Sequence, residues 1–257
     1  MIKKIITWLS RILSTRFWEF VEDKSAYFQG KGSGSDFMAS EAVAACRFIK
    51  GNNVILLDVG ANQGDWTSEI LRRLPEKISH IYQFEPSPFN VNLLRKRFSN
   101  DPVTVVPLAV SDRAEELTLF FDKPGSGNAA VYKRRLEHFG TTAEKSVFVK
   151  AITIDSLIEE RKIYRIDFMK MDIEGHELKA MHGAERALKN GVIRALSFEF
   201  GGCNIDSRTY FQDFWYFLKS FGYQIFRILP TGKVVAVQRY SEILECFRTT
   251  NYIAVLS

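Results

Sequence analysis

Residues 54–64, Val-Ile-Leu-Leu-Asp-Val-Gly-Ala-Asn-Gln-Gly, decide the fold of this chain. Four apolar residues lead to Asp58, and glycines follow at Gly60 and Gly64. A helical spacing of apolar residues then begins at Trp66. A short apolar run of this kind predicts a parallel strand that is buried on both faces. Because a strand, a glycine turn and a helix follow in this order, the stretch predicts a nucleotide-type site in a doubly wound sheet.

Strand and helix patterns alternate through the rest of the chain. Further strands are predicted at 78–84, 103–110, 166–171, 193–198, 223–229, 233–237 and 252–256. This alternation favours an α/β fold, with a Rossmann-like, mostly parallel sheet and helices on both faces. Ligands of such sheets bind at the carboxyl ends of the strands. Five acidic residues are expected at that edge: Asp58, Glu85, Asp112, Asp172 and Glu199.

The composition is that of an ordinary globular protein. Of the 257 residues, 46% are hydrophobic and 25% are charged. The formal net charge of +5 is too small for the dense basic stripe of a nucleic-acid binder. Three cysteines without C-x-x-C spacing favour a reducing compartment. The sequence contains no apolar run near the ~20 residues that span a bilayer and no signal-peptide pattern, so we expect a cytoplasmic protein.

The first 20 residues predict one amphipathic helix with basic residues mostly off its apolar face. Such a helix suits the inner surface of a membrane, or packing against its own domain or a second copy of the chain. We therefore expect a helical extension over residues 1–50 with a membrane-surface, dimer or lid role. The glycine-rich residues 29–36 predict a flexible stretch within it. The apolar face consists of Ile2, Ile5, Ile6, Leu9, Ile12, Leu13, Phe17 and Phe20.

The order of the polar residues at the sheet edge indicates which class of ligand the site would bind. Asp58 ends the first strand, which suits a cationic amino acid group better than a pyrophosphate. Glu85 ends the second strand, where a carboxylate can accept hydrogen bonds from both ribose hydroxyls. Asp112 is placed to accept a hydrogen bond from an adenine amino group. Together these groups describe S-adenosylmethionine, and the further candidate cofactor contacts are Gly60, Asn62, Gly64, Pro86, Ser111 and Asp172.

Five motifs occur in order between about residues 52 and 200. They are D-V-G-A-N-Q-G at 58–64, F-E-P-S-P at 84–88, A-V-S-D at 109–112, I-T-I-D-S-L at 152–157 and M-K-M-D-I-E-G-H-E at 169–177. In these motifs the chain resembles the FkbM family of S-adenosylmethionine-dependent methyltransferases. The resemblance implies a class I methyltransferase domain over residues 51–257, with a seven-stranded sheet whose last strand is antiparallel. It also implies methyl transfer to a hydroxyl oxygen of a sugar, glycolipid or polyketide-type product.

A hydroxyl acceptor needs a base or a metal ion, because its own pKa lies far above 7. The candidate catalytic groups are Asp172, Glu174, His176 and Glu199. Asp172 is expected nearest the transferred methyl, with a helix N-cap as its alternative role. His176 has the most suitable unperturbed pKa, with a surface or capping histidine as its alternative. Oxygen atoms of Asp172, Glu174 and Glu199 could hold a divalent metal ion, whereas Glu177 is expected to stabilise the helix that follows.

Three other features each allow two interpretations. Lys170 shares a strand face with Asp172 and is expected to pair with a sheet-edge carboxylate, for structure or for function. The basic run at 133–135 suits an anionic acceptor or a solvated surface. Four aromatic residues suit the floor of a sugar site or, given their helical spacing, the core: Phe211, Phe214, Trp215 and Phe217.

Two other functions stay open at this point. An N-methyltransferase of nucleic acid would be expected to carry an N/D-P-P-[YF] motif after the fourth strand, where this chain has Asp172-Ile-Glu-Gly. A non-catalytic adenosyl-binding scaffold, held at a membrane by residues 1–20, would be expected to lose part of the carboxylate set, which is intact. The favoured partner is therefore a small-molecule, glycan or glycolipid acceptor.

Overall fold

A computed structural model describes residues 13–34 and 38–257 of the chain. The strands are β1 (Val54–Val59), β2 (Ile78–Phe84), β3 (Val103–Val106), β4 (Ala109–Val110), β5 (Glu115–Phe121), β6 (Lys145–Ile152), β7 (Phe168–Met171), β8 (Ala195–Phe200), β9 (Tyr223–Ile228), β10 (Val234–Val237) and β11 (Thr250–Leu256). The helices are α1 (Thr15–Phe28), α2 (Met38–Cys46), α3 (Asp65–Arg73), α4 (Pro88–Arg97), α5 (Ile154–Arg161), α6 (Glu177–His182), α7 (Glu185–Lys189), α8 (Cys203–Ser207) and α9 (Phe211–Ser220). Short 3-10 turns cover Glu137–Phe139 and Glu242–Leu244.

The main sheet has the strand order β10-β9-β11-β8-β7-β1-β2-β3. The five strands from β8 to β3 run parallel, while β11 pairs antiparallel with both β8 and β9. The predicted α/β fold with a mostly parallel sheet is confirmed. The sheet has eight strands rather than the expected seven, because β10 pairs antiparallel with β9 and adds a hairpin strand at the edge.

The predicted third strand at 103–110 forms two strands that belong to different sheets. β3 pairs with β2 of the main sheet, whereas β4 pairs with β6 of a three-stranded sheet with the order β4-β6-β5. Pro107 stands between them, and a proline has no N–H to donate to a sheet ladder. The chain therefore leaves the main sheet before it reaches Ser111 and Asp112.

Apolar clusters cover both faces of the main sheet. Successive residues of a strand point to opposite faces, so Leu57 of β1 enters one cluster and Leu56 enters the other. Helix α9 packs on the first face, where Phe214 stacks on Phe198 with ring centroids 5.0 Å apart. Phe211, Phe214 and Trp215 are therefore core residues and Phe217 packs against them, as their helical spacing favoured.

The N-terminal segment differs from the helix predicted over residues 1–20. Its apolar pattern up to Ile12 lies outside the described residues. Helix α1 begins at Thr15, and Ser14 caps it by accepting a hydrogen bond from the backbone N–H of Phe17. Because Ser14 is extended, with ψ at 157°, one continuous helix through this residue is wrong. None of the described helices has the length and hydrophobicity needed to cross a bilayer.

Residues 30–34 are packed, although their glycines predicted a flexible stretch. The backbone N–H of Gly34 donates to the carbonyl of Thr249 over 2.9 Å. Gly30 has a φ of +81°, and a Cβ at this position would overlap the carbonyl oxygen of Ile228. These glycines therefore allow close contact with β9 and with the chain that enters β11.

Helix α2 packs on the main sheet through Ala42, Ala44 and Ala45, all of which are buried. Glu41 of the same helix is buried too, and its carboxylate accepts a hydrogen bond of 2.9 Å from the Ser197 hydroxyl. Burial raises the pKa of Glu41 to about 7. This part of the predicted extension therefore contributes to the core, while the division of the chain at residue 50 stays a prediction.

Candidate active site

A narrow cavity, here called the strand-end cavity, lies at the carboxyl ends of β1, β2 and β7. Residues from these three strand ends line it, together with the segment 126–131 from the loop between β5 and β6. Its volume is about 60 Å³. The predicted site residues on its wall are Gly60, Asn62, Glu85, Pro86, Asp172, Glu174 and His176.

Glu85 occupies the position expected for a ribose-binding carboxylate. One carboxylate oxygen accepts the backbone N–H of Asn62 and the other accepts that of Ser87, each over 2.8 Å. These bonds hold the carboxylate at the end of β2 with only 6% of the residue exposed. Burial raises its pKa to about 7. Each carboxylate oxygen can accept a second hydrogen bond, so Glu85 keeps acceptor capacity for ligand hydroxyl groups.

The two glycines of the opening stretch have different roles. Gly60 lines the strand-end cavity with a φ of +81°, and a Cβ there would overlap the carbonyl oxygen of Asp172. Gly64 precedes helix α3 with a φ of +85°, and a Cβ there would press against the ring of Phe98. Gly64 does not line the cavity, so the structure assigns it to helix packing rather than to the expected ligand contact.

Asp58 does not face the strand-end cavity, in contrast to its predicted role. It is fully buried and accepts a hydrogen bond of 2.7 Å from the Thr67 hydroxyl. Lys170 Nζ lies 3.6 Å from Asp58 and 3.4 Å from Asp172, which confirms the predicted pairing of this lysine with sheet-edge carboxylates. Burial raises the pKa of Asp58, against the opposing charge of Lys170. Asp58 is therefore a buried partner of Thr67 and Lys170. Asp172, whose side chain is 41% exposed, lines the cavity instead.

Ser111 and Asp112 do not lie at the end of a main-sheet strand. They follow β4, where the backbone N–H of Ser111 donates to the carbonyl of Ile152 over 2.9 Å. Neither residue lines the strand-end cavity. The expected contact of Asp112 with an adenine is therefore not supported, because the break at Pro107 redirects the chain. Residues 108–110 line the cavity in their place.

Glu177 organises the turn that follows β7. Its carboxylate accepts the backbone N–H of Ile173 over 2.8 Å and that of Gly175 over 3.0 Å. It is fully buried at the start of α6. Its position agrees with the expected structural role, and its hydrogen bonds hold Glu174 in a left-handed conformation with φ at 55°.

His176 is buried between two hydroxyl groups. Its Nδ1 lies 3.0 Å from the Tyr132 hydroxyl and its Nε2 lies 3.1 Å from Ser111 Oγ. Burial lowers the pKa of the imidazole to about 4, so His176 is neutral near pH 7. Both ring nitrogens are engaged, and a base with this pKa is poorly matched to neutral pH. The geometry favours a structural role over the predicted catalytic one.

Glu174 and Glu199 meet beside the strand-end cavity. Ligand atoms of Glu174, Glu199 and Cys203 lie within 4.8 Å of one another. Burial, and then the charge of Asp172, raises the pKa of Glu174 to about 8, although Arg134 forms an ion pair with it. The same two causes raise the pKa of Glu199 well above its usual range. Two buried carboxyl groups this close favour a state with at least one proton.

The structure brings two of the three predicted metal ligands together, but the surroundings of these two do not favour a metal ion. Of the predicted ligands, Glu174 and Glu199 come together with Cys203, and Asp172 lies outside this group. Burial raises the pKa of the Cys203 thiol, and a protonated thiol is a weak metal ligand. Arg134 already contacts one carboxyl oxygen of Glu174. The divalent metal ion therefore stays a prediction.

Several cavity residues were not anticipated from the sequence. Asn90 is buried at the start of α4 and donates a hydrogen bond of 3.0 Å to Asn62 Oδ1, while its own Oδ1 has no partner among the described residues. Tyr132 and the segment 126–131 reach the site from the loop before β6. The Pro-Ser-Pro sequence ahead of Asn90 could have indicated a ligand-facing helix start. The spacing of residues in the sequence does not predict that the loop residues reach the site.

Comparison with known proteins identifies the family of the chain. The sequence profile of the methyltransferase FkbM domain family matches residues 58–225, which is more than half of the chain. The chain belongs to the FkbM methyltransferase family. This confirms the predicted family, and with it the class of S-adenosylmethionine-dependent methyltransferases. The matched range begins at Asp58, so the FkbM domain includes the glycine turn and all of the catalytic candidates.

Two curated relatives share part of this FkbM chain. Hexuronic acid methyltransferase AglP of Haloferax volcanii is 26% identical over 136 residues, which cover 53% of this chain and 52% of AglP. Methyltransferase sdnD of Sordaria araneosa is 28% identical over 162 residues, which cover 52% of this chain and 61% of sdnD. The chain thus spans only between half and two thirds of these relatives.

A solved FkbM methyltransferase has the same fold. The crystal structure of methyltransferase FkbM from Methylobacillus flagellatus KT matches with a TM-score of 0.52 and 16% identity. The match covers 91% of this chain and 60% of that protein. At this identity the likeness shows the fold alone, which agrees with the sheet described above.

S-adenosylmethionine fits the residues around the strand-end cavity. Gly60 lines the cavity, and the unpartnered Oδ1 of Asn90 needs a donor. Glu85 can accept ribose hydroxyl groups. Asp172 lines the cavity with a side chain that is 41% exposed, and a carboxylate there suits a ligand with positive charge.

Proposed function

We propose that this protein transfers a methyl group from S-adenosylmethionine to a hydroxyl oxygen of a sugar, a glycan or a related natural product. The observation that carries the proposal is the position of Glu174. This carboxyl group lines the strand-end cavity, is mostly buried, and has a raised pKa of about 8. The relative AglP is named a hexuronic acid methyltransferase, which supports the sugar class.

The cofactor end of the site is assigned to Glu85 and Asp172. Glu85 accepts hydrogen bonds from the ribose hydroxyl groups, because its carboxylate is held at the end of β2 by two backbone N–H groups. Asp172 receives the ammonium of the amino acid end, because its side chain faces the cavity while Asp58 is turned away. S-adenosylmethionine, when bound, supplies an electrophilic methyl group on a positively charged sulfur.

Glu174 is assigned as the group that removes the proton of the acceptor hydroxyl. As the oxygen of the acceptor gains the methyl group, its proton passes to the carboxylate of Glu174. A pKa of about 8 suits a base that works near neutral pH better than the ordinary pKa of a glutamate. Glu199 lies next to it, so the two carboxyl groups can share the proton.

Binding and transfer are tested in two steps. Isothermal titration calorimetry with S-adenosylhomocysteine should show binding to the wild-type protein. Glu85→Gln should weaken this binding at least about tenfold, because a carboxylate–hydroxyl hydrogen bond is worth about 1.5–3 kcal/mol. Glu116→Gln, which changes an exposed glutamate of β5, is the matched control and should leave the affinity unchanged.

Transfer is followed with labelled S-adenosylmethionine and a mixture of oligosaccharides that contain neutral and uronic acid sugars. Label in an alkali-stable methyl ether is the expected product, since ester linkages are cleaved by alkali and ethers are not. Absence of S-adenosylhomocysteine binding would contradict the cofactor assignment. Label found only in an alkali-labile ester would contradict transfer to a hydroxyl oxygen.

A further inference from the structure

A second cavity, here called the basic groove, lies beside the candidate active site. Its volume is about 630 Å³. Helix α1 and residues 31–32 form one part of its wall, residues 134–139 form another, and residues 202–206 and 247–249 complete it. Arg134 lines the basic groove and forms an ion pair with Glu174, which lines the strand-end cavity. The two cavities are therefore neighbours that share this ion pair.

The basic groove carries more positive than negative charge. Its lining has four lysine and arginine residues and two aspartates: Lys31, Arg134, Arg135, Arg248, Asp23 and Asp206. Both aspartates are engaged, since Asp23 lies 3.0 Å from Arg248 and Asp206 lies 3.7 Å from Arg134. Across residues 13–34 and 38–257, Lys31 and Arg135 have no acidic partner within 4 Å. An anion is therefore the complementary ligand.

Lys31 is the residue that points most directly to a ligand. It is only 8% exposed, and it lines the basic groove. An anionic group bound in the groove would give Lys31 a counter-charge, and Arg135 in the segment 134–139 adds a guanidinium that can bind a carboxylate or phosphate through two hydrogen bonds.

Aromatic side chains also line the basic groove. Tyr27, Phe139 and Phe247 all line it, and Phe139 is 70% exposed. Flat aromatic faces pack well against the C–H groups of a sugar ring, while a few polar groups determine its orientation. Cations and aromatic faces in one groove therefore match an acidic sugar better than a purely apolar ligand or a bare anion.

We propose that the basic groove binds the methyl acceptor, and that the acceptor is a sugar that carries a carboxylate or a phosphate group. The inference rests on the proposed function, since it names the substrate class of the same site. Lys31 and Arg135 bind the anionic group, and the aromatic faces hold the ring. The shared Arg134–Glu174 ion pair places the acceptor next to the base. Helix α1, which precedes the family's matched range, is thereby part of the acceptor site.

The test uses the chain of 257 residues, saturated with S-adenosylhomocysteine, and three probes. Calorimetric titrations are made with methyl β-glucuronide, with glucose 1-phosphate and with the neutral methyl β-glucoside. At least one anionic sugar should bind about tenfold or more tightly than the neutral one. Raising sodium chloride from about 50 mM to about 500 mM should weaken that binding, because salt screens the charges. The two anionic probes distinguish a carboxylate from a phosphate acceptor.

Two variants and a matched control locate the binding. Arg135→Ala and Lys31→Met should each weaken binding of the preferred anionic sugar about tenfold. Lys133→Ala removes an exposed cation two residues from Arg135 that does not line the groove, and it should have no effect. The affinity for S-adenosylhomocysteine and the circular dichroism spectrum show that each variant is folded.

The outcomes separate this inference from the proposed function. The inference is overturned if both groove variants keep the wild-type affinity for the sugar. It is also overturned if neither anionic sugar binds, or if all three probes bind equally well. Loss of S-adenosylhomocysteine binding by the wild-type protein would instead count against the proposed function. Methyl transfer to neutral sugars with normal cofactor binding would leave the methyltransferase proposal standing and remove the acidic acceptor.

Discussion

Arg134 and Glu174 form an ion pair at the boundary between the strand-end cavity and the basic groove. The side chain of Arg134 is 10% exposed and that of Glu174 is 16% exposed, so the pair is largely removed from water. Arg134 also lies 3.7 Å from Asp206. A loop residue from before β6 therefore orients a carboxylate that follows β7. This contact connects the proposed cofactor end of the site with the proposed acceptor end.

Substitution of Glu174 tests its proposed role as the base. Glu174→Gln should lower kcat about 10²–10⁴-fold, because a glutamine cannot accept the proton. The affinity for S-adenosylhomocysteine, measured by calorimetry, should change little. The wild-type rate should rise with pH up to about 8, where the raised pKa of Glu174 lies, and the variant should lose this rise.

The control for this experiment is Glu144→Gln, which alters an exposed glutamate 3.5 Å from Lys133. Its kcat and pH profile should match those of the wild type. If Glu174→Gln kept full activity with an unchanged pH profile, the proton would have to leave through another group, and the assignment would be wrong.

Substitution of Lys170 tests the buried charge cluster behind the site. Lys170→Met should lower the free energy of unfolding by about 3–5 kcal/mol, because it leaves Asp58 and Glu41 buried without their counter-charge. Urea denaturation followed by circular dichroism measures the change. Lys150→Met on the exposed surface of β6 should change it by less than about 0.5 kcal/mol. Equal effects of the two substitutions would show that the buried pair contributes little.

Substitution of Gly60 tests the close contact between β1 and the turn after β7. Gly60 and Gly51 share a φ of +81°, but a Cβ on Gly60 would overlap the Asp172 carbonyl, while one on Gly51 would meet nothing within 4 Å. Gly51→Ala should cost about 1–2 kcal/mol of stability from its positive φ alone. Gly60→Ala should cost about 1–3 kcal/mol more, because of the overlap. Equal unfolding free energies in urea would contradict the contact.

Glu41 tests the effect of a raised pKa on stability. Its pKa is raised from 4.5 to about 7 by burial, so between these values the folded protein binds the proton and the unfolded chain does not. Stability from this group is therefore complete below about pH 4.5 and decreases as pH rises towards 7. Glu41→Gln stays neutral and should lose less stability between pH 5 and pH 8, by about 1–3 kcal/mol.

Urea denaturation of wild type and Glu41→Gln at pH 5 and pH 8 measures this difference. Glu76→Gln, an exposed substitution, should follow the wild-type dependence on pH. If Glu41→Gln also follows it, Glu41 is ionised in the folded protein and its burial is compensated by Lys170.

Much of the fold could be predicted because strand ends are local features. The apolar run before Asp58 and the glycines after it specify a strand and a turn whatever the rest of the chain does. Glu85 could be placed for the same reason, since it directly follows a strand in the parallel part of the sheet. The break at Pro107 shows the limit, because β4, which leads to Asp112, pairs in another sheet.

The sequence by itself determined the α/β class, the family and the set of acidic residues at the strand ends. Only the tertiary structure decided which of them face a ligand. Asp58 and Asp172 end neighbouring strands, yet one is buried against Thr67 and the other is open to the cavity. The direction of a side chain at a strand end depends on which helix packs over it. The fold also brings α1, Arg134 and Glu174 close together, although they lie far apart in the chain. Contacts of this kind leave no periodic signal in the sequence.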